Sequence, residues 1–281
     1  MSRFARRLVP ARPDLAAAHL AGSVEAARFV AGEPRRVAVD VLDLTMAPDR
    51  AAGLATQLLH GEPFTVYEVT PDGLAWGQSG RDGYVGYVEA AALGPDFSGG
   101  TMVTALWSHL YTGPAVKARV HAGLPLGAEV AVAAVEGGFA RLEDGYFVPA
   151  RHLAPLAGDH VDHALRFVGV PYLWGGRSAR GIDCSGLVQV ALMAAGIAVP
   201  RDSDMQAALA GVPLEEGAPL QRGDLIFWDG HVGLLRDPET LVHANAHHMA
   251  VAVEPFGPAV ARILAAGGGP VTGRRRIVPG Q

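Results

Sequence analysis

Cysteine occurs once in this 281-residue chain, as Cys184, and lysine once, as Lys117. A single cysteine excludes an intramolecular disulfide and any zinc site built on several thiolates, so the thiol is either inert packing or chemistry. Positive charge is also short, with 23 Lys and Arg against 28 Asp and Glu and a formal net charge of -5. That balance leaves no electrostatic footprint for nucleic acid or for an anionic membrane surface. No run approaches the roughly 18 apolar residues that a membrane span requires. Behind the early pair Arg6 and Arg7, the apolar stretch of an export signal is interrupted at once by Pro10, Arg12, Pro13 and Asp14. The expectation is a cytoplasmic protein with no nucleic-acid or membrane partner. What is abundant is apolar residue, 49% against 18% charged, enough for a globular chain of two or three domains.

Residues 1–36 read as an N-terminal helical arm, because Leu15, Leu20, Val24, Ala27 and Val30 recur at close to helical spacing over 14–30. From residue 37 the texture changes to short β-type runs broken by Gly, Pro and Asp. Two stretches resemble each other: "GEPFTVYEV", "GLAWGQ", "DGYVGYVEAAAL" and later "GAEVAVAAV", "GFARLE", "DGYFVPARHLAPL". A repeat of two small all-β barrels, 37–95 and 100–156, accounts for them, with "GPDFSGG" at 94–100 as the joint. Residues 158–281 read as an α+β domain: helices in "DHVDHALRFVG" and "CSGLVQVALMAAG", then a hairpin around Asp229-Gly230, then strands in "TLVHANA" and "MAVAVEPF". In "RDSDMQ", Ser203 as N-cap with Gln206 three residues on gives a capping box opening a short helix.

Asp183 sits where an N-cap belongs, which makes Cys184 the first residue of its helix. Unpaired N–H groups and the positive end of the helix dipole there favour a thiolate. Gly175, Gly176 and Gly181 would let backbone pass close to a ligand, and the Cys184 N–H would serve as an oxyanion donor. Position alone leaves packing and nucleophile both open. A nucleophile needs a base: of 11 histidines, His231 opens the second strand of the hairpin and His243 lies in the next strand. As antiparallel neighbours they would lie side by side on the sheet face against which the cysteine helix packs. His243 and His247 would align for a metal only on a helix, and this segment alternates like strands, so no metal is expected.

"YLWGGRSARGIDCSGLVQ", "QRGDLIFWDGHVGLL" and "LVHANA" together resemble the NlpC-type peptidases, papain-like cysteine enzymes of bacterial cell-wall turnover. The resemblance covers about residues 160 to 256 in the family's order. It implies a papain-like α+β peptidase domain with Cys184 as nucleophile, His231 as general base and His243 orienting it. It also implies the Tyr172 hydroxyl near the oxyanion, and Asp183 and Ser185 flanking the nucleophile in the groove.

The upstream repeat resembles the two bacterial SH3-type barrels of the subgroup that cuts peptidoglycan stem peptides between γ-D-Glu and the diamino acid, diaminopimelate or Lys. The substrate implied is an L-Ala-γ-D-Glu-diamino acid peptide with a free N-terminal L-Ala, and no cofactor; the expected lack of an export signal favours muropeptide recycling, and a monomer is expected. In that likeness Asp202 pairs with the ammonium and Ser203 contacts the ligand. Tyr84 of "DGYVGYV" walls the groove, Glu62 or its rival Glu68 supplies an acid from the first barrel, and Trp174 packs beside the nucleophile or in the core. The second barrel reads "DGYFVPA", without the second "GY", which fits a spacer. Two other readings stand beside this one: another thiol acyl-transfer enzyme on the same core, a lipid amidase or acyltransferase, and a non-catalytic wall-binding protein. The tail "GRRRIVPGQ" carries no role readable from sequence.

Overall fold

In the computed structural model the chain divides into two compact units, Met1–Pro155 and Leu156–Gln281. Residues 4–278 are described; residues 1–3 of the expected arm and 279–281 of the expected catalytic domain lie outside the described residues.

The arm is not a helix over 14–30. Ala16–Ala17 pairs in parallel with Phe29–Val30, and only a 3-10 turn, Ala18–Leu20, lies between them. Gly22, at φ +80°, interrupts the segment, and the first unit offers its side chains partners. Leu15 is fully buried with Leu74, Trp76, Val85 and Tyr87. Arg12 stacks over Trp76 at 4.4 Å, donates to the Tyr87 hydroxyl at 2.9 Å and pairs with Glu68. Arg28 takes the other oxygen of the same carboxylate.

Seven strands follow in the spatial order Leu54–Leu59, Val41–Thr45, Val85–Glu89, Leu74–Ser79, Pro63–Val69, Glu33–Val37, Leu93–Pro95. Alternation sets which side is buried: in "VLDLT", Leu42 and Leu44 face a core with Val37, Leu58, Phe64, Tyr84 and Val88, while Asp43 faces water. A second sheet of five strands runs from Trp107 to Pro149 around Val103, Leu110, Leu124, Leu142 and Val148. Glu129 ties the two sheets together: its N–H donates to the His60 carbonyl at 2.9 Å, and its carboxylate receives Arg36 at 2.6 Å and Arg81 at 2.5 Å.

In the second unit, α1 (His160–Leu165) is capped by Asp159, which accepts from the N–H groups of Val161 and Asp162. Helix α2 (Cys184–Ala194) is buried along its whole length, and α3 (Ser203–Leu209) follows. The strands are β1 (Val212–Pro213), β2 (Leu225–Trp228), β3 (His231–Asp237), β4 (Thr240–Asn245), β5 (Ala250–Pro255) and β6 (Gly273–Arg276), with α4 (Phe256–Ala265) between the last two. Their spatial order is β1-β6-β2-β3-β4-β5, all antiparallel. The tail is therefore an interior strand. Arg276 locks it with a two-point pair to the buried Asp224, both contacts 2.8 Å, and Arg275 caps the carbonyls of Ala207 and Gly211. The β2–β3 hairpin turns on Asp229-Gly230 with Gly230 at φ +69°.

Candidate active site

Asp183 caps α2, its Oδ1 accepting from the Gly186 N–H at 2.7 Å, so Cys184 is the first helical residue. The other oxygen accepts from the Gly175 N–H at 2.8 Å, which draws the glycine loop onto the helix start. Gly186 has no room for a side chain: a Cβ there would lie 2.3 Å from the Gly176 carbonyl oxygen. Behind Asp183 lies Arg201, 1% exposed, holding both carboxylate oxygens at 2.8 and 3.0 Å and the Ser185 hydroxyl at 2.9 Å. Asp183 and Ser185 thus flank the nucleophile in sequence, but their side chains turn onto a buried arginine and not into a groove.

The thiol is 5% exposed. Burial pushes it up to about 11, with the Asp183 charge adding to the rise; the N–H groups of Val232 and Ser185 and the Arg201 charge act the other way and lose. The thiolate expected from the helix terminus is therefore replaced by a resting thiol, because burial beside a carboxylate outweighs the N–H groups and the guanidinium that favour the anion. Tyr172 is half-buried, its N–H donating to the Met249 carbonyl at 2.9 Å. Burial raises its hydroxyl above the usual phenol range, and the Cys184 charge contributes, which puts the phenol in the neighbourhood of the sulfur.

Register places Trp228, His231, His243 and Glu254 on one sheet face: Trp228 pairs with His231, and β3 and β4 are joined through Leu235 and Leu241. His231 Nε2 lies 2.8 Å from His243 Nδ1, and His243 Nε2 lies 2.7 Å from Glu254 Oε1. The imidazoles are side by side as the sequence suggested. The helix covering their face is α4, not the cysteine helix: Ala259 and Phe256 of α4 pack with Ile226, Trp228, Leu235 and Leu241. The Val232 N–H, next in sequence to His231 at the start of β3, acts on the thiol. Burial pushes His231 down to about 3, helped by the charges of His243 and Arg262, and burial also lowers His243 against the pull of Glu254. A neutral thiol beside a neutral imidazole line can transfer a proton at the moment the sulfur attacks.

Of the other expected residues, Asp202 and Ser203 are half-buried at the start of α3. The N-cap there is Asp202, not Ser203, with no side-chain cap bond. Gln206 is buried instead of completing a capping box, its amide donating to the carbonyls of Ser185 and Pro200 at 3.0 and 2.9 Å. Trp174 is 66% exposed, so it is not a core residue. Glu62 is fully buried, accepting the Leu59 N–H at 3.1 Å and pairing with Arg81 at 2.8 Å. Its carboxylate is spent inside the first unit, and Glu68 is spent on Arg12 and Arg28. Tyr84, 3% exposed, is a member of the first sheet's core. It stands just before the strand Val85–Glu89, whose first four residues are all buried, so this stretch does not alternate and its tyrosine is drawn into the core.

Sequence reasoning missed Arg201, Glu254 and Arg262. The signal for Glu254 was available: β4 and β5 are hairpin neighbours, and the alternation that turns His243 to one face turns Glu254 to the same one. Arg201 had no signal, since only the tertiary fold brings residue 201 to residue 183.

Residues 169–259 match the family described as NlpC/P60, and residues 44–93 match the one described as the bacterial dipeptidyl-peptidase Sh3 domain. Over 249 residues the chain is 29% identical to a Bacillus cereus protein named gamma-D-glutamyl-L-lysine dipeptidyl-peptidase, covering 76% of this chain and 74% of that relative. It is 40% identical to the dipeptidyl-peptidase 6 of Lysinibacillus sphaericus over 87 residues, a match that spans 30% of this chain and 31% of that relative. The crystal structure of an NlpC/P60 family protein from Bacillus cereus superposes with a TM-score of 0.72 at 21% identity, over 88% of this chain and 100% of that one. The two family matches, together with that likeness in fold, give the order of an SH3-like N-terminal domain before a papain-like NlpC/P60 one.

Proposed function

We propose that this chain, whose residues 169–259 match the NlpC/P60 family, is a cysteine peptidase hydrolysing the γ-D-Glu to diamino acid bond of peptidoglycan stem peptides whose N-terminal L-Ala is free. The observation that carries this reading is the His231–His243 line in the same unit as the buried Cys184 at the head of α2, with the Val232 N–H next to His231 acting on the thiol. As the sulfur attacks the γ-D-glutamyl carbonyl carbon, its proton passes to His231. The oxyanion forms near the Cys184 N–H, with the Tyr172 hydroxyl as a second donor. Protonated His231 returns the proton to the departing amine of the diamino acid. Water then opens the thioester, releasing L-Ala-γ-D-Glu and restoring the thiol.

Asp202, half-buried at the start of α3, supplies a carboxylate for the substrate's ammonium, and Ser203 a hydroxyl beside it. A free L-Ala amine exists only after the stem has been cut from its sugar, which favours recycled fragments over the intact wall. The five-stranded sheet from Trp107 to Pro149 is read as a second SH3-type domain serving as a spacer, consistent with its missing "GY" element.

Hydrolysis of L-Ala-γ-D-Glu-diaminopimelate by the full chain tests the proposal. Cys184→Ala should abolish turnover with the fold intact; unchanged turnover would sink the mechanism. Acetylation of the substrate's amine should stop cleavage, and an undiminished rate would remove the role given to Asp202.

A further inference from the structure

His243 lies 1% exposed between two partners, His231 Nε2 on its Nδ1 side and Glu254 Oε1 on its Nε2 side. Glu254 is itself held by Arg262 of α4 on the same oxygen. These contacts leave few proton arrangements. A carboxylate only accepts, so Nε2 of His243 must donate to Glu254. A neutral imidazole carries one N–H, which leaves Nδ1 of His243 as a lone pair. That lone pair accepts from Nε2–H of His231. His231 is then committed in turn, and its Nδ1 is unprotonated. Reversing the line would require a proton on Glu254. Arg262 opposes this: burial pushes Glu254 up, but His243 and Arg262 together hold it below the usual carboxylate range. The other groups acting on the pair are Asp183 from the loop before α2 and His248 from the turn after β4, and neither sits between the three residues.

We propose that Glu254 is a positioning residue that fixes the tautomer of His243 and, through it, of His231, so that Nδ1 of His231 is the base for the Cys184 thiol. Arg262 keeps that carboxylate ionised. The inference rests on the peptidase reading only for the identity of the reacting pair.

The test needs no substrate, because Cys184 is the only thiol in the chain and iodoacetamide therefore reads one site. In the full chain, Glu254→Ala should slow alkylation at neutral pH by about 100-fold, the low end of what a misplaced general base forfeits. Glu254→Gln keeps an accepting oxygen while losing the charge that anchors Arg262, and should recover about 10-fold of that loss. A purely structural role would make the two variants equally impaired, since both break the ion pair to α4. Nitrogen-15 spectra of the wild-type histidine rings give an independent reading that does not depend on any variant folding: Nε2 of both His231 and His243 should carry the proton. A protonated Nδ1 on His231, or Glu254→Ala alkylating at the wild-type rate, overturns the proposal. With L-Ala-γ-D-Glu-diaminopimelate, Glu254→Ala should lower kcat and leave KM within about twofold. Should the wild-type chain alkylate as described yet leave that tripeptide uncut, the substrate reading fails and the tautomer assignment stands.

Discussion

At neutral pH Cys184 and His231 rest uncharged, since burial pushes the thiol up to about 11 and the imidazole down to about 3. The alkylation rate of Cys184 should therefore hold a plateau across pH 6.5, the ordinary imidazole value, with no step there. His231→Ala should lower the plateau and leave a limb that rises only as the thiol itself ionises. A step near 6.5 in the wild-type profile would contradict the buried neutral pair. Stability carries the same signs. His231 is depressed, so the unfolded chain takes up a proton first as pH falls below 6.5, and the stability present above that value is lost toward about 3. Cys184 is raised from 9.0, so its contribution is full below that value and lost as pH rises toward about 11. Arg201 sets the other large residue-scale effect. Removing it in Arg201→Met leaves the 7%-exposed Asp183 without its cation and should cost about 3–5 kcal/mol, measured by urea denaturation.

Among the elements, the β2–β3 hairpin decides where His231 stands, because the histidine directly follows the turn. Gly230 at φ +69° occupies backbone that a Cβ resists, so Gly230→Ala should destabilise by about 1 kcal/mol and lower kcat more than it changes KM. The hairpin was legible in sequence because Asp-Gly between apolar runs is a local signal. The helix assigned to 14–30 was not correct, for the opposite reason. Its periodicity was real, but Leu15 and Arg12 find their partners in Trp76, Tyr87 and Glu68, contacts that no window of neighbouring residues contains. The tail belongs to the same class: β6 is interior only because Gly273–Arg276 inserts between β1 and β2. A chain ending at residue 272 should leave the ladder groups of β2 and the buried Asp224 unpaired and fail to fold, seen as insolubility or loss of a cooperative transition.

For the whole molecule, the division into Met1–Pro155 and Leu156–Gln281 gives each unit its own apolar core. Residues 156–281 produced alone should unfold cooperatively and keep the alkylation profile of Cys184, since every group acting on the thiol lies within that unit. Within the first unit, Glu129 receives Arg36 and Arg81 where the two sheets join. Glu129→Ala should destabilise that unit by more than the roughly 1 kcal/mol typical of an exposed pair, because two partly buried guanidinium groups lose one acceptor.

Read in order, the residues already gave the succession of the units and the places of Cys184, His231 and His243, because each lies in a short motif: an N-cap before a cysteine, a histidine after an Asp-Gly turn, a histidine in the next alternating strand. The tertiary structure alone decided the ionisation of those groups and the residues that hold them. Burial, not the helix terminus, sets the thiol. Arg201, Glu254 and Arg262 come to the site from different elements, and Glu62, Glu68 and Tyr84 are claimed by the first unit. Charge and desolvation depend on distance through space, and a linear pattern records only distance along the chain.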